Sequence, residues 1–352
     1  MSSPYSTLKD YQFWRRAVSR TETHLFDPVV APRFRIAADA RVATAGSCFA
    51  QHISRRLREI DFNYYIPEAG EHLPAEERGP RNYGVFSARF GNLYTTAQLH
   101  QLFLEAFGER IPHEMAWRRP DGRYVDAYRQ QVEPAGFASA NEVAADRARH
   151  LAAVRAMFLN ADVFVFTMGL TEAWRSRVDG SVFPLAPGVV AGSFDPERYE
   201  AVNFGVEEVR GDLVRFLDRL KAVNPGVRVL LTVSPVPLIA TFEDRNVLCS
   251  TTYSKSVLRV VADMVTREHD WTDYFPSFEI ITGSYAGGLY YEDDYRDVNR
   301  IGVAHAMRCF LKNYVERDAP PQPDAAAAQL VAARAASSGV ICDEEAIDAI
   351  RA

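Results

Sequence analysis

The tripeptide Gly46-Ser47-Cys48 sets a hydroxyl and a thiol side by side between a short β-prone run, Arg41 to Ala45, and a stretch in which Phe49, Ile53, Leu57 and Ile60 fall on one helical stripe. A side chain at such a strand-to-helix turn projects beyond the sheet edge. There the unpaired N–H groups of the helix N-terminus can stabilise an oxyanion or depress a thiol pKa. Ser47 and Cys48 are therefore both candidate nucleophiles, although the tripeptide alone is also what a tight junction of small residues requires. His52 lies four residues after Cys48, one turn along the same helical face, where it can polarise the thiol or simply cap the apolar stripe beside Ile53.

Further along, Lys255 opens the helix expected over Ser254 to Glu268, where a lysine opposes the helix dipole. A carboxylate or phosphate of a substrate would relieve that conflict. Trp174 and Tyr94 are of a type that stacks on sugar rings, and equally of a type that fills cores. No Gly-x-Gly-x-x-Gly turn, P-loop or paired metal-ligand spacing occurs, so the sequence indicates no nucleotide or metal cofactor.

The elements that must position these residues alternate. Asp162 to Met168 and Arg228 to Val233 read as buried strands, with Phe278 to Ile281 as a further one; helical patterns run over Thr96 to Phe107, Ala140 to Asn160, Val206 to Val223 and from Asn299 onward. Asp179-Gly180 marks a hairpin and Asp121-Gly122 a turn in a small β excursion. Buried strands alternating with amphipathic helices imply a mainly parallel sheet covered on both faces, with ligands collecting beyond the carboxyl ends of its strands. Before the first strand, Phe26-Asp-Pro and Ala31-Pro break any long helix, giving an arm packed on the main domain. Residues 61 to 95 are rich in Pro, Gly and Asn and form a loop layer of the length that usually carries function. From Asp318 the chain reads as a linker followed by an Ala-rich helical tail, residues 318–352, leaving 1–317 as the main domain with its arm.

With 47% hydrophobic residues in 352, the chain can bury a full core. Its net charge of −6 and the lack of like-charge runs give no electrostatic sign of nucleic acid or membrane as partner. The first residues lack a secretory pattern, no stretch is long enough to span a bilayer, and Cys48, Cys249, Cys309 and Cys342 show no paired spacing. A cytoplasmic location with four thiols is the expectation.

Ala43-Thr-Ala-Gly-Ser-Cys-Phe-Ala-Gln-His-Ile53 resembles the signature of the GSCFA family of bacterial proteins, whose name is spelled by residues 46 to 50. The likeness continues in order at Tyr83 to Tyr94, Met168 to Trp174, Ser234 to Leu238 and Tyr253 to Arg259, and covers roughly Tyr5 to Val315. That family is similar to the SGNH/GDSL hydrolases and acyltransferases, which implies a flavodoxin-like α/β/α sandwich with a loop-rich insertion after the first helix. In that comparison Gly46-Ser47-Cys48 stands for Gly-Asp-Ser, so Cys48 takes the nucleophile's place. Asn92 and the segment Gly169 to Glu172 would complete the oxyanion site, with the Ser47 to Phe49 backbone as further donors.

In the last block the likeness departs from the pattern, because Asp294 aligns with the catalytic aspartate but Asp297 with the histidine. Paired carboxylates can raise one another's pKa enough to make a base. Capping of the final helix is the plainer role for Asp297, and His305 would have to reach back two turns, which ranks it below His52. The resemblance implies an acyl-transfer enzyme, an esterase or O-acyltransferase, acting on a small-molecule or glycan substrate, with acyl-CoA as a candidate donor. The alternative from another class is a non-catalytic ligand-binding or assembly module that has lost the catalytic histidine.

Overall fold

The computed structural model describes residues 3–60 and 62–316, together with Ile347. Apart from Ile347, the expected linker and tail lie outside the described residues, as does Cys342. Four strands, β1 (Val42–Gly46), β4 (Val163–Met168), β8 (Arg228–Val233) and β9 (Thr272–Tyr274), form a parallel sheet in the order β1-β4-β8-β9. Between them in sequence come β2 (Ala116–Arg118) and β3 (Tyr124–Asp126), an antiparallel pair, and β5 (Glu172–Ser176), β6 (Val182–Phe183) and β7 (Tyr199–Asn203), a three-stranded antiparallel sheet. The helices are α1 (Ala50–Glu59), α2 (Ala75–Arg78), α3 (Thr96–Ala106), α4 (Ala140–Asn160), α5 (Val206–Val223), α6 (Val247–Glu268), α7 (Ser277–Thr282) and α8 (Arg300–Tyr314).

Strand periodicity sorts the core into two layers. Ala43, Ala45, Phe164, Phe166, Val229 and Leu231 pack with residues of α3, α4, α5 and α6, while Val42, Val165 and Leu230 pack with residues of α1, α7 and α8. The result is a three-layer α/β/α sandwich of flavodoxin-like form. No described helix is long and apolar enough to cross a membrane.

The arm consists of four short helical turns before Phe26, and the segment that follows, with Pro28 and Pro32, forms no helix. It is pinned to α8: Asp27 accepts from Lys312 Nζ at 2.8 Å and Asn313 Nδ2 at 3.0 Å, and Ile36 bridges to Val315.

Phe278 to Ile281 is not a strand. Ile280 and Ile281 are both buried against the same cluster, which successive residues of a strand cannot achieve, and the segment forms α7. The last strand of the sheet is instead Thr272–Tyr274, too short and polar to signal itself. Helix α6 also starts earlier than expected, at Val247, because the Asn246 side chain caps it by accepting from the Leu248 N–H at 2.9 Å. Lys255 therefore lies well inside α6, and the dipole argument for a ligand at that residue fails.

Candidate functional site

The Gly46-Ser47-Cys48 turn forms where β1 leaves the sheet. Gly46 adopts φ +137°, and a Cβ there would sit 2.3 Å from the Thr167 carbonyl oxygen, so only glycine lets the strands close at this point. The Ser47 N–H donates to that carbonyl at 3.1 Å. Ser47 is 2% exposed, and its hydroxyl has no hydrogen-bond partner. Its neighbour Cys48 is 5% exposed and belongs to the apolar layer with Phe49, Ile53 and Val236. Cys48, Cys249 and Cys309 form no disulfide.

Two other segments close on this turn. The loop Gly91 to Thr95 is stitched across the ends of β1 and β4: the Leu93 N–H donates to Gly46 O at 2.9 Å, and the N–H groups of Gly169 and Leu170 both donate to Tyr94 O. Asn92, 2% exposed, sits within this loop. Gly169 fits against both neighbours, since a Cβ on it would lie 2.9 Å from the Tyr94 ring and 3.1 Å from Ser47 Cβ. Lys255, also 2% exposed, reaches from α6 to the same glycine, with Nζ donating to Gly169 O at 2.7 Å. Ser47, Cys48, Asn92, Tyr94, Gly169 and Lys255 are thus gathered at the carboxyl end of the parallel sheet.

The oxyanion assignment changes in detail. The N–H groups of Ser47, Gly169 and Leu170 are spent on backbone carbonyls, and that of Thr171 donates to Ser254 Oγ at 2.9 Å, so none of them is open to a substrate. Glu172 cannot stand in for an amide: its carboxylate accepts from Thr241 Oγ1 at 2.7 Å and from the Phe242 N–H, holding that loop on β5. Trp174 is half-buried edge-on against Phe194 and Phe242, and Tyr94 is buried with Leu170 and Leu238. Both serve as packing residues in this arrangement.

The candidate bases fare unevenly. His52 is half-buried, its ring edge-on to Phe49; desolvation, with Arg55 adding repulsion, lowers its pKa to about 4 and keeps it neutral. His305 does not reach back to the turn. Its Nδ1 accepts from Tyr290 OH at 2.5 Å and its Nε2–H donates to Phe26 O at 2.6 Å, so it clamps the arm. Asp297 does not cap α8; Asn299 does, accepting from the Gly302 N–H at 3.0 Å. Asp294 instead closes the preceding turn by accepting from the N–H groups of Arg296 and Asp297. The Asp297 carboxylate is exposed beside Arg296 rather than paired with Asp294. Among the described residues, no group of three or more His, Cys, Asp or Glu side chains is arranged to hold a metal ion.

Behind the Asn92 loop lies a feature the sequence reading missed, a buried ionic cluster. Arg89 bonds Asp146 and Glu133, Arg129 bonds Asp126 and Asp146, Arg147 bonds Asp126 and Glu105, and His150 Nδ1 meets Glu68 at 2.7 Å. The signal was present on α4, where Arg147 and His150 fall on the same stripe as Val143, Val154 and Met157. Glu68 and the Arg89 main chain, whose N–H donates to that carboxylate at 2.7 Å, tie the long loop layer to this helix.

Comparison with known proteins gives a match of the GSCFA family model over residues 41–310. No curated protein and no solved structure matches the chain.

Proposed function

The chain belongs to the GSCFA family, and from that premise we propose that it is an acyl-transfer enzyme, an esterase or O-acyltransferase for a glycan or other hydroxylated substrate. The observation that carries this reading is the Ser47 hydroxyl, buried without a hydrogen-bond partner at the carboxyl end of the parallel sheet. An unpaired buried hydroxyl is costly, and functional sites are where such a cost is retained. Ser47 is preferred over Cys48 as nucleophile because its buried hydroxyl has no hydrogen-bond partner, whereas the Cys48 side chain belongs to the apolar layer.

Lys255 takes the base's place, which His52, His305 and Asp297 do not fill. Its Nζ donates to Gly169 O and the Ser47 side chain lies against the same glycine, so both groups border one residue, and Ser-Lys pairs are an established variant of the nucleophile and base arrangement. In the acylation step the neutral amine takes the Ser47 hydroxyl proton as Oγ attacks the acyl carbonyl. The leaving group departs with the proton from the resulting ammonium, and water or an acceptor hydroxyl then takes the acyl group by the reverse route. The Asn92 amide is the side chain assigned to the oxyanion. An acyl-CoA thioester fits as donor on chemical grounds alone.

A fluorophosphonate probe followed by peptide mass spectrometry tests the reading without knowledge of the substrate. Labelling at Ser47 that disappears in Ser47→Ala, persists in Cys48→Ala and falls at least tenfold in Lys255→Met is the expected result. Labelling that instead follows Cys48 transfers the nucleophile to the thiol. No labelling in the wild-type protein favours the non-catalytic binding module, for which the aspartate in the histidine's place is the supporting observation.

A further inference from the structure

The ionic cluster borders a small chamber between α3, α4 and the loop that carries Asn92, lined by Phe90, Leu93, Gln101, Tyr128, Arg147 and His150 among others. It leaves about 20 Å³ open to the centre of a water molecule. One water needs about 10–15 Å³ of such space and two to four polar partners. Three residues that line this chamber each carry a buried polar atom without a well-formed hydrogen bond: Arg147 Nε, His150 Nε2 and Tyr128 Oη, the last with the Ser181 hydroxyl close by. The remaining arms of the same side chains are fully used. Arg147 gives its two terminal nitrogens to Asp126 and Glu105 and lies 4.4 Å over the Tyr128 ring, while His150 gives Nδ1 to Glu68.

The types of these atoms decide what fits. Arg147 Nε–H can only donate, and the Tyr128 hydroxyl can donate or accept. Burial, with Arg129 beside it, lowers the His150 pKa and so favours the neutral ring. Its proton is on Nδ1, facing the Glu68 carboxylate, so Nε2 presents a lone pair to the chamber. An anion would meet that lone pair and the neighbouring Glu105. A cation would meet Arg147 and Arg129. Only a neutral molecule that both accepts and donates satisfies all three atoms, and the volume limits it to one or two waters.

We infer that this chamber is a fixed water site of the fold, in which water accepts from Arg147 Nε–H, donates to His150 Nε2 and bonds the Tyr128 hydroxyl. Leu93 forms part of its wall, and the Leu93 N–H donates to Gly46 O, so the bound water underpins the loop that holds Asn92 beside Ser47. The inference stands whether or not Ser47 proves to be a nucleophile.

Crystals of the protein soaked in sodium bromide at neutral pH test it directly. The expected result is water density within about 2.7–3.2 Å of at least two of the three atoms, with no anomalous signal there. A bromide peak would make the chamber an anion site and overturn the inference, as would a chamber without density. In solution, Tyr128→Phe removes one partner of the water and should lower the Tm by about 2 °C. An unchanged or raised Tm would mean that the hydroxyl has no bound partner to lose.

Discussion

A side chain at position 46 has no room: its first carbon would fall 2.3 Å from Thr167 O, with a backbone angle that other residues rarely adopt. Gly46→Ala must therefore separate β1 from β4 or distort the turn. The expected cost is about 3 kcal/mol or more in urea unfolding, together with loss of any reactivity at Ser47. His305 illustrates a different residue-level effect. Desolvation is the main cause that brings its pKa down to about 4, outweighing the bond to Phe26 O that raises it. In the unfolded chain it titrates near its ordinary value of about 6.5, so the unfolded state binds the extra proton first and stability falls as pH drops from about 6.5 to 4. His305→Gln retains an amide that can donate to Phe26 O but does not titrate. It should flatten that part of the stability profile by on the order of 3 kcal/mol, measured by urea denaturation at a series of pH values.

At the scale of the element, α4 carries two kinds of charge that sequence composition cannot separate. Arg147 is 3% exposed and shared between Asp126 and Glu105, whereas Arg149 is 72% exposed and reaches only Asp146. Replacing Arg147 by Met takes one of the two arginines from each of the buried carboxylates Asp126 and Glu105, leaving them to Arg129 and Arg110, and should cost about 3–5 kcal/mol. The same replacement at Arg149 should change stability by about 0.5 kcal/mol or less. Equal losses at the two positions would show that the buried cluster contributes no more than a surface pair. The arm depends on contacts of a weaker kind, chiefly Asp27 with Lys312 and Asn313 and the His305 clamp. Asp27→Ala should accordingly speed proteolysis before Phe26 while leaving the urea midpoint of the sheet domain nearly unchanged.

Over the whole molecule the buried histidines and carboxylates make acid unfolding proceed in two ranges. His52 and His305, lowered chiefly by desolvation to about 4, remove stability between about pH 6.5 and 4, and burial lowers His150 in the same direction. Glu68 is held at about 2: burial pushes it up, but His150, Arg129 and the Arg89 N–H outweigh that effect. Asp126 is likewise held below the carboxylate range, where Arg147 and Arg129 overcome its burial. These carboxylates contribute stability that is full above their unfolded values near 4 and is lost as pH falls through about 2. Thermal unfolding followed across pH 7 to 2 should thus show Tm falling in both ranges; a flat profile from 6.5 to 4 would contradict the neutral, buried state of His52 and His305.

The sequence by itself determined the strand-turn-helix at Gly46, the buried strands β4 and β8, the Ala140–Asn160 helix and the hairpin at Asp179-Gly180, because each rests on local periodicity or turn chemistry. It also placed Ser47, Cys48, Asn92, Gly169 and Lys255 in motifs that the fold brings to one sheet end. Tertiary structure alone decided which of their groups remain open. The amides of Ser47, Gly169 and Leu170 are consumed by carbonyls from distant segments, Glu172 is taken by the Thr241 loop, and His305 is turned toward the arm. Ile280 and Ile281 likewise became a helical turn because both had to face one layer. Local pattern reports which way a side chain faces along its own element, whereas its hydrogen-bond partners and its desolvation depend on chain segments tens to hundreds of residues away. That is why the residues of this site were legible in the sequence, and their chemical states were not.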